Sequence, residues 1–164
     1  MKSSLLMLLL VVAGGACGPA RPMNGPSLNR MNSEPAKSTV ITQDILDRDP
    51  VAKETLCKHI LIGWRDKKDA YQGKMDERAK KRSKADAEAK VRELLNAIGA
   101  GADFDQLMRD NSEDPGFEVK PEGYVVNREA ELVIEFRWLG LRLNVDEVGV
   151  VESDYGFHIM KRVE

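Results

Sequence analysis

The residues in this sequence that are best suited to chemistry are its two histidines, His59 and His158. A histidine side chain titrates near pH 6.5, so it can hold or release a proton under physiological conditions. His59 lies in the apolar segment LCKHILIG, and His158 lies in the segment GFHIM near the C-terminus. Both segments are typical of β-strands, so each histidine is either part of a site or a buried core residue with satisfied hydrogen bonds.

The cysteine count and the charge exclude several other kinds of protein. Two cysteines are too few for a disulfide scaffold or for a zinc site of four cysteines. Cys57 lies in an apolar, strand-like segment, which favours a small buried hydrophobe over a reactive thiol. The 25 lysine and arginine residues nearly balance the 27 aspartate and glutamate residues, whereas a nucleic-acid-binding protein usually has a basic excess.

The N-terminal residues 1–16 have the pattern of a signal peptide. Lys2 precedes an apolar run over residues 5–13, which is far shorter than the roughly 20 residues that span a bilayer. Small residues then lead into Cys17, as in the bacterial lipobox, in which the cysteine is lipidated, although Gly14 replaces the usual large aliphatic residue. The sequence therefore predicts a signal peptide over 1–16 and lipidation at Cys17, and an ordinary cleaved secretory signal is the alternative.

A tether is predicted over residues 17–50. Residues 18–38 are rich in proline, glycine, asparagine and serine and show no apolar period, so they cannot bury enough surface to offset the entropy of ordering. Residues 40–46 are predicted to form a short helix or strand that docks on the domain, and Asp49 with Pro50 ends it. The folded domain is predicted to begin near Val51 and to extend over residues 51–164.

The remaining patterns predict a small α+β domain. A strand over 56–62 is followed by a polar loop, a long helix from about residue 76 that ends at Gly99 and Gly101, and a shorter helix that Asp103 caps. A third helical piece covers 132–139, and strands over 148–151 and 157–163 form a terminal hairpin. A first strand beside a terminal hairpin, with helices packed on the sheet, is an α+β architecture.

Five segments together resemble the parvulin-type (rotamase) family of peptidyl-prolyl isomerases. They are KHILIG, GADFDQLM, NSEDPG, LVIEF and EVGVVESDYGFHIMKR, and they span about residues 58–163. The resemblance implies a parvulin-like (FKBP-like) fold with an antiparallel sheet, and an enzyme that needs neither a cofactor nor a metal. Its implied partners are the proline-containing segments of unfolded or exported proteins, which it would hold in an apolar cleft.

The resemblance also implies the site residues, position by position. The residues that match catalytic positions are His59, Asp114, Ser153 and His158. In the family the two histidines lie close together below the substrate amide and share hydrogen bonds. The residues that match the lining of the cleft are Tyr124, Leu132, Phe136 and Tyr155, and Leu132 stands where the family most often has methionine.

One turn departs from the family pattern. The family usually has a Gly-Gly-Asp-Leu-Gly turn before its third helix, whereas this chain has Pro-Glu-Gly-Tyr-Val-Val, with Gly123 as its one glycine. This departure favours an alternative function, a parvulin-fold chaperone that binds unfolded chains with little turnover. Arg65, Lys67 and Lys68 follow the first strand, where some parvulins select phosphorylated substrates, but the acidic residues between them favour a solvated face or a mild attraction to anionic lipid.

The sequence therefore predicts an isomerase that assists the folding of exported proteins. Lipidation at Cys17 would hold it on the extracytoplasmic side of a bacterial membrane, and a secreted soluble protein is the alternative.

Overall fold

The computed structural model describes residues 38–116 and 120–164, so the predicted signal peptide, Cys17 and most of the predicted tether lie outside the described residues. A four-stranded antiparallel sheet forms the centre of the domain. Its strands are β1 (Glu54–Ile62), β2 (Tyr124–Asn127), β3 (Val148–Ser153) and β4 (Gly156–Arg162), and their order across the sheet is β2-β1-β4-β3. The first strand thus lies beside the terminal hairpin, as predicted, and the α+β class is confirmed.

Helices cover both faces of this sheet. In the part of the chain that the structure describes they are α1 (Gln43–Leu46), a 3₁₀ helix (Arg65–Tyr71), α2 (Glu77–Lys81), α3 (Lys84–Gly99), α4 (Phe104–Asn111) and α5 (Ile134–Gly140). On one face, Ile60 and Ile62 pack with Val91 of α3 and Phe104 of α4. This face forms the larger core.

The opposite face of β1 packs against α5 and the 3₁₀ helix. Cys57 lies in a cluster with Phe136 and Leu139 of α5, and Leu61 packs against Tyr71. The alternation predicted along the first strand is therefore confirmed. Cys57 is a free, fully buried cysteine, and burial raises the pKa of its thiol, so this residue behaves as the predicted small hydrophobe.

Residues before 51 are part of the packed domain. Val40 and Ile45 are buried, and Ile45 lies in the same cluster as α5. The Thr42 backbone N–H donates to the Val150 carbonyl at 3.1 Å, and the Val150 N–H donates to Thr42 Oγ1 at 2.9 Å. This segment therefore docks along the exposed edge of β3, as predicted for residues 40–46, and the packed domain begins earlier than the predicted start at Val51.

The structure differs from the prediction at one helix and at one strand. The long helix predicted from residue 76 is divided into α2 and α3. The backbone is extended at Arg82, which ends α2, and Ser83 then caps α3 by accepting a hydrogen bond from the Asp86 N–H. Strand β2 was not predicted, since its apolar pattern covers only Tyr124 to Val126 between polar residues. Gly123 directly precedes the strand; its φ is +111° and a Cβ there would lie 2.6 Å from the Cys57 carbonyl oxygen, so only glycine fits.

Candidate active site

The two histidines meet on the face of the sheet that α5 covers. His59 pairs with Met160 and Leu61 pairs with His158 across β1 and β4, so the two histidines are diagonal neighbours on the same face. Their Nδ1 atoms are 3.1 Å apart, and their rings are nearly parallel with centroids 5.3 Å apart. Both side chains are buried, so the hydrogen bond between them is shielded from water.

A hydroxyl and a carboxylate extend the histidine pair at its two ends. Ser153 Oγ lies 2.7 Å from His158 Nε2, and Asp114 Oδ2 lies 2.9 Å from His59 Nε2. Ser153 also accepts a hydrogen bond from the Tyr155 N–H at 3.1 Å, which fixes its hydroxyl at the tip of the β3–β4 hairpin. Four side chains from three regions of the sequence therefore form one continuous chain of hydrogen bonds.

The Asp114 carboxylate determines which atom donates and which accepts in each hydrogen bond of this network. An ionised Asp114 only accepts, so His59 donates to it from Nε2 and, when neutral, accepts at Nδ1. His158 then donates from Nδ1 to His59 and accepts at Nε2 from the Ser153 hydroxyl. Burial, together with the nearby His59, lowers the pKa of His158 to about 3, so this ring is neutral at physiological pH. The network is then complete with one defined tautomer for each ring.

Asp114 is held ionised by its neighbours. Burial disfavours the charged carboxylate, but hydrogen bonds from His59, from the Tyr124 hydroxyl at 2.6 Å and from the Gly116 N–H at 2.9 Å outweigh it. The pKa of Asp114 therefore lies below its ordinary range. Burial and the adjacent carboxylate raise the pKa of Tyr124, so its hydroxyl stays protonated and keeps donating.

Phe136 of α5 forms the apolar wall beside this network. Its ring is buried and lies edge-on to His59 at 5.0 Å, to His158 at 5.5 Å and to Tyr124 at 5.9 Å. Leu132 and Val133 precede α5 and line the same cleft. An apolar surface thus lies directly beside a buried polar network.

The side chains enclose a cleft of about 470 Å³. This volume is in the range of pockets that hold small ligands or a few peptide residues. Seven of the eight predicted site residues line the cleft, namely His59, Asp114, Tyr124, Leu132, Phe136, Tyr155 and His158. The eighth, Ser153, reaches it through its hydrogen bond to His158. The eight residues therefore come together in space, while Cys17 lies outside the described residues.

Sequence reasoning missed Tyr71, which forms another wall of the cleft. Its hydroxyl donates to the Tyr155 carbonyl at 2.5 Å, and the two rings meet edge-on at 5.3 Å. Burial first, and then the charges of Glu113 and Asp114, raise the pKa of Tyr71, so the hydroxyl remains a donor. The prediction placed this residue in a polar loop, and the one signal was an aromatic side chain within an otherwise polar segment.

Glu113 was also missed, although its contacts hold in place the loop that carries the neighbouring Asp114. Its side chain is fully buried and accepts hydrogen bonds from the Gly63 N–H at 2.8 Å and from Arg82 at 2.7 Å. Its backbone N–H donates to the Leu61 carbonyl at 2.9 Å. These bonds tie the loop that carries Asp114 to the end of β1.

The low pKa of His158 predicts that the domain loses stability in mild acid. An unfolded chain binds a proton at this histidine near pH 6.5, whereas the folded chain resists it to about pH 3. Stability is therefore complete above pH 6.5 and is lost as the pH falls toward 3, with a decrease of about 2 kcal/mol between pH 7 and pH 5. Urea unfolding at both values should show this decrease, and His158→Asn should reduce it. An equal decrease in the variant would contradict the assignment.

Comparisons with known proteins place the chain in a family. Residues 43–164 match the family model described as the PPIC-type PPIase domain. The fold is similar to the solution structure of TbPIN1, with a TM-score of 0.57 and 16% identity, and the alignment covers 70% of this chain and 100% of that chain. The peptidyl-prolyl isomerase ESS1 from Candida albicans gives a TM-score of 0.56 at 15% identity over 68% of this chain and 63% of that chain.

At these identities the structural similarities show the fold alone, and a search of curated proteins found no match. The family model covers most of the chain, including β1, α5 and the terminal hairpin, which carry the network and the cleft. The chain therefore belongs to the PPIC-type peptidyl-prolyl cis-trans isomerase family, the parvulins.

Proposed function

We propose that this isomerase acts on X-Pro bonds in unfolded, exported proteins, and that it binds each prolyl ring in the cleft beside Phe136. The observation that carries the proposal is the position of this apolar wall, whose ring lies 5.0 Å from the ring of His59, while both ring nitrogens of His59 are hydrogen-bonded within the network. The cleft offers an apolar seat for a proline ring and a polar, ordered wall for the adjacent amide.

The apolar wall acts on the bond through desolvation. A planar amide has a barrier to rotation of about 18–20 kcal/mol because resonance gives its C–N bond partial double-bond character. The planar form is more polar than the twisted form, so water stabilises it more. Phe136 and Leu132 replace water around the prolyl ring, and this lowers the energy of the twisted amide relative to the planar one.

The ionised carboxylate acts in the same direction. The oxygen of a planar amide carries more negative charge than that of a twisted amide, so a nearby carboxylate disfavours the planar form. Asp114 lines the cleft and is held ionised by His59 and Tyr124. The hydrogen bonds from Ser153 through both histidines fix the orientation of the Asp114 carboxylate, so that this polar side of the cleft does not reorganise while the bond rotates. The reaction forms no covalent intermediate.

Catalysis of folding can be distinguished from chaperone binding with a protein whose refolding is limited by proline isomerisation. An isomerase speeds the slow refolding phase at a small fraction of the molar amount of the refolding chain, because each enzyme molecule turns over many times. A chaperone that only binds would slow refolding, or change its yield in proportion to its own concentration. We expect the first result, and the second would overturn the proposal.

We also propose that the protein is exported and held at a membrane through lipidation of Cys17. The support is the short apolar run over residues 5–13 and the small residues that precede this cysteine. In residues 38–116 and 120–164 no helix has the length and apolar character needed to cross a membrane. Stable anchoring by lipid takes more than one acyl chain, and bacterial lipoproteins carry more than one.

Cell fractionation tests the anchor. The wild-type protein should sediment with membranes and be released by detergent, and Cys17→Ser should leave the membrane fraction or accumulate unprocessed. Cys57→Ser is the matched control, because that cysteine is buried in the domain and should not affect localisation. A wild-type protein found wholly in the soluble extracytoplasmic fraction would contradict lipidation.

A further inference from the structure

A second surface, separate from the cleft, carries exposed apolar side chains. Ile134 and Trp138 lie one turn apart on α5, and they are 45% and 53% exposed. Phe136 lies between them in sequence and therefore projects from the opposite side of the helix, toward the histidines. This short helix thus has an apolar outer face in addition to the apolar face that it buries.

Three arginines surround this outer face. Together they define what we call the arginine–tryptophan surface, which consists of Pro50, Arg128, Ile134, Arg137, Trp138 and Arg142 around a shallow cleft of about 280 Å³. Within the described residues, none of the three arginines forms an ion pair with a carboxylate. Arg137 donates to the Arg128 carbonyl, and Arg142 donates to the Trp138 carbonyl at 3.0 Å.

Four other arginines of the domain, Arg48, Arg78, Arg82 and Arg92, do form ion pairs with carboxylates. Arg48 pairs with Glu147 at 2.8 Å, and Arg82 pairs with Glu113 at 2.7 Å. The positive charges around Trp138 are therefore not neutralised by direct contacts, although Glu129 lines a neighbouring cleft with Arg128. An occupant of this surface should be both anionic and able to receive apolar side chains.

We propose that the arginine–tryptophan surface binds the interface of a membrane that contains anionic phospholipids. Tryptophan is enriched at the headgroup level of membranes, where its ring meets both apolar and polar groups. Ile134 would reach the acyl boundary beside it, and the three arginines would attract the phosphates of the headgroups. The combination of apolar and unpaired basic side chains selects such an interface over a neutral apolar partner.

This surface and the catalytic cleft can be used at the same time, because they share no lining residue. The membrane contact deepens the proposed anchoring at Cys17 but does not require it. Twenty residues separate Cys17 from Ser38, so an anchored domain would stay close enough to the lipids for a weak surface interaction to orient it.

Tryptophan fluorescence tests the proposal directly. The chain has two tryptophans, and Trp64 is buried against Phe157, so a change caused by vesicles reports on Trp138. The full chain carrying Cys17→Ser is mixed with vesicles of phosphatidylcholine, with or without phosphatidylglycerol. We expect a blue shift of the emission with the anionic vesicles and a much smaller one with the neutral vesicles.

All samples contain the N-terminal apolar run, which can itself bind vesicles. Variants of the arginine–tryptophan surface therefore show how much of the binding this surface contributes. Trp138→Ser removes the reporting ring, so its binding is measured by sedimentation with the vesicles and should be about tenfold weaker than that of the wild-type protein. Arg128→Gln should raise the lipid concentration that gives the half-maximal shift about fivefold. Val145→Ser and Arg109→Gln, at exposed positions outside this surface, are matched controls that should leave the shift unchanged.

Three results would overturn the proposal: no shift with anionic vesicles, an equal shift with neutral vesicles, or binding that Trp138→Ser leaves intact. The isomerase rate on a soluble peptide is measured in the same samples, and Trp138→Ser should not change it. A wild-type protein that is inactive yet shows the lipid-dependent shift would refute the proposed function and support the membrane surface. The two proposals can therefore fail separately.

Discussion

Phe136→Ala is expected to cause the largest loss of isomerase activity of any single change in the cleft, about 100-fold or more in kcat/KM. The ring is buried and contacts both histidines and Tyr124 edge-on, so its removal takes away the apolar seat and admits water to the amide. Asp114→Ala removes one polar group, worth about 1–3 kcal/mol, and should reduce the rate less. A protease-coupled assay on a short X-Pro peptide measures both.

The stability of the variants must be measured together with their rates. Phe136→Ala should cost about 3–5 kcal/mol of unfolding free energy, because it leaves a cavity. Phe104→Ala is the matched control, since Phe104 is buried in the core on the other face of the sheet and does not line the cleft. It should lose comparable stability but retain its rate where it remains folded. An active, folded Phe136→Ala would contradict the proposed seat.

Removing both histidines is expected to cost little more activity than removing one. His59→Ala and His158→Ala should each lower kcat/KM by about tenfold or more, because either change interrupts the chain between Asp114 and Ser153. Once the series of hydrogen bonds is interrupted, the second substitution removes little more. The losses of kcat/KM in the two single variants should therefore be strongly non-additive in the double variant. The measurement is a double-mutant cycle on the isomerase rate.

The same cycle has a clear contrary result. If the two losses multiply in the double variant, the histidines act independently and the shared network does not control the rate. Ser153→Ala is a milder probe of the network, because it removes only the hydrogen bond to His158 Nε2 and the acceptor for the Tyr155 N–H. It should reduce the rate less than His158→Ala does.

The sequence was sufficient to predict the parts of the fold that depend on local patterns. Alternation along β1 placed Cys57 and His59 on one face, and the structure confirms this arrangement. Asp103 caps α4 as predicted, because a side-chain acceptor at that position satisfies the Gln106 N–H. Strand β2 was missed because its four residues gain their stability from pairing with β1, which is distant in sequence.

The site was predicted through the family resemblance, and the structure added its supporting residues. The two histidines lie 99 positions apart in sequence, and no local pattern shows that their rings are in hydrogen-bond contact. Tyr71 and Glu113 lie next to predicted features but were missed, since their roles depend on contacts with Tyr155 and Arg82 that only the folded chain brings together. Long-range packing thus determines what local periodicity cannot.

The central claim is that this cleft isomerises X-Pro bonds, and the rate of cis-to-trans conversion of a short X-Pro peptide tests it most directly. Uncatalysed conversion takes tens to hundreds of seconds at 25 °C. The full chain, at a concentration far below that of the peptide, should increase the rate in proportion to its concentration, and Phe136→Ala should remove most of the increase. A wild-type protein that is folded and binds the peptide, but leaves the rate unchanged for every residue tried before proline, would contradict the account.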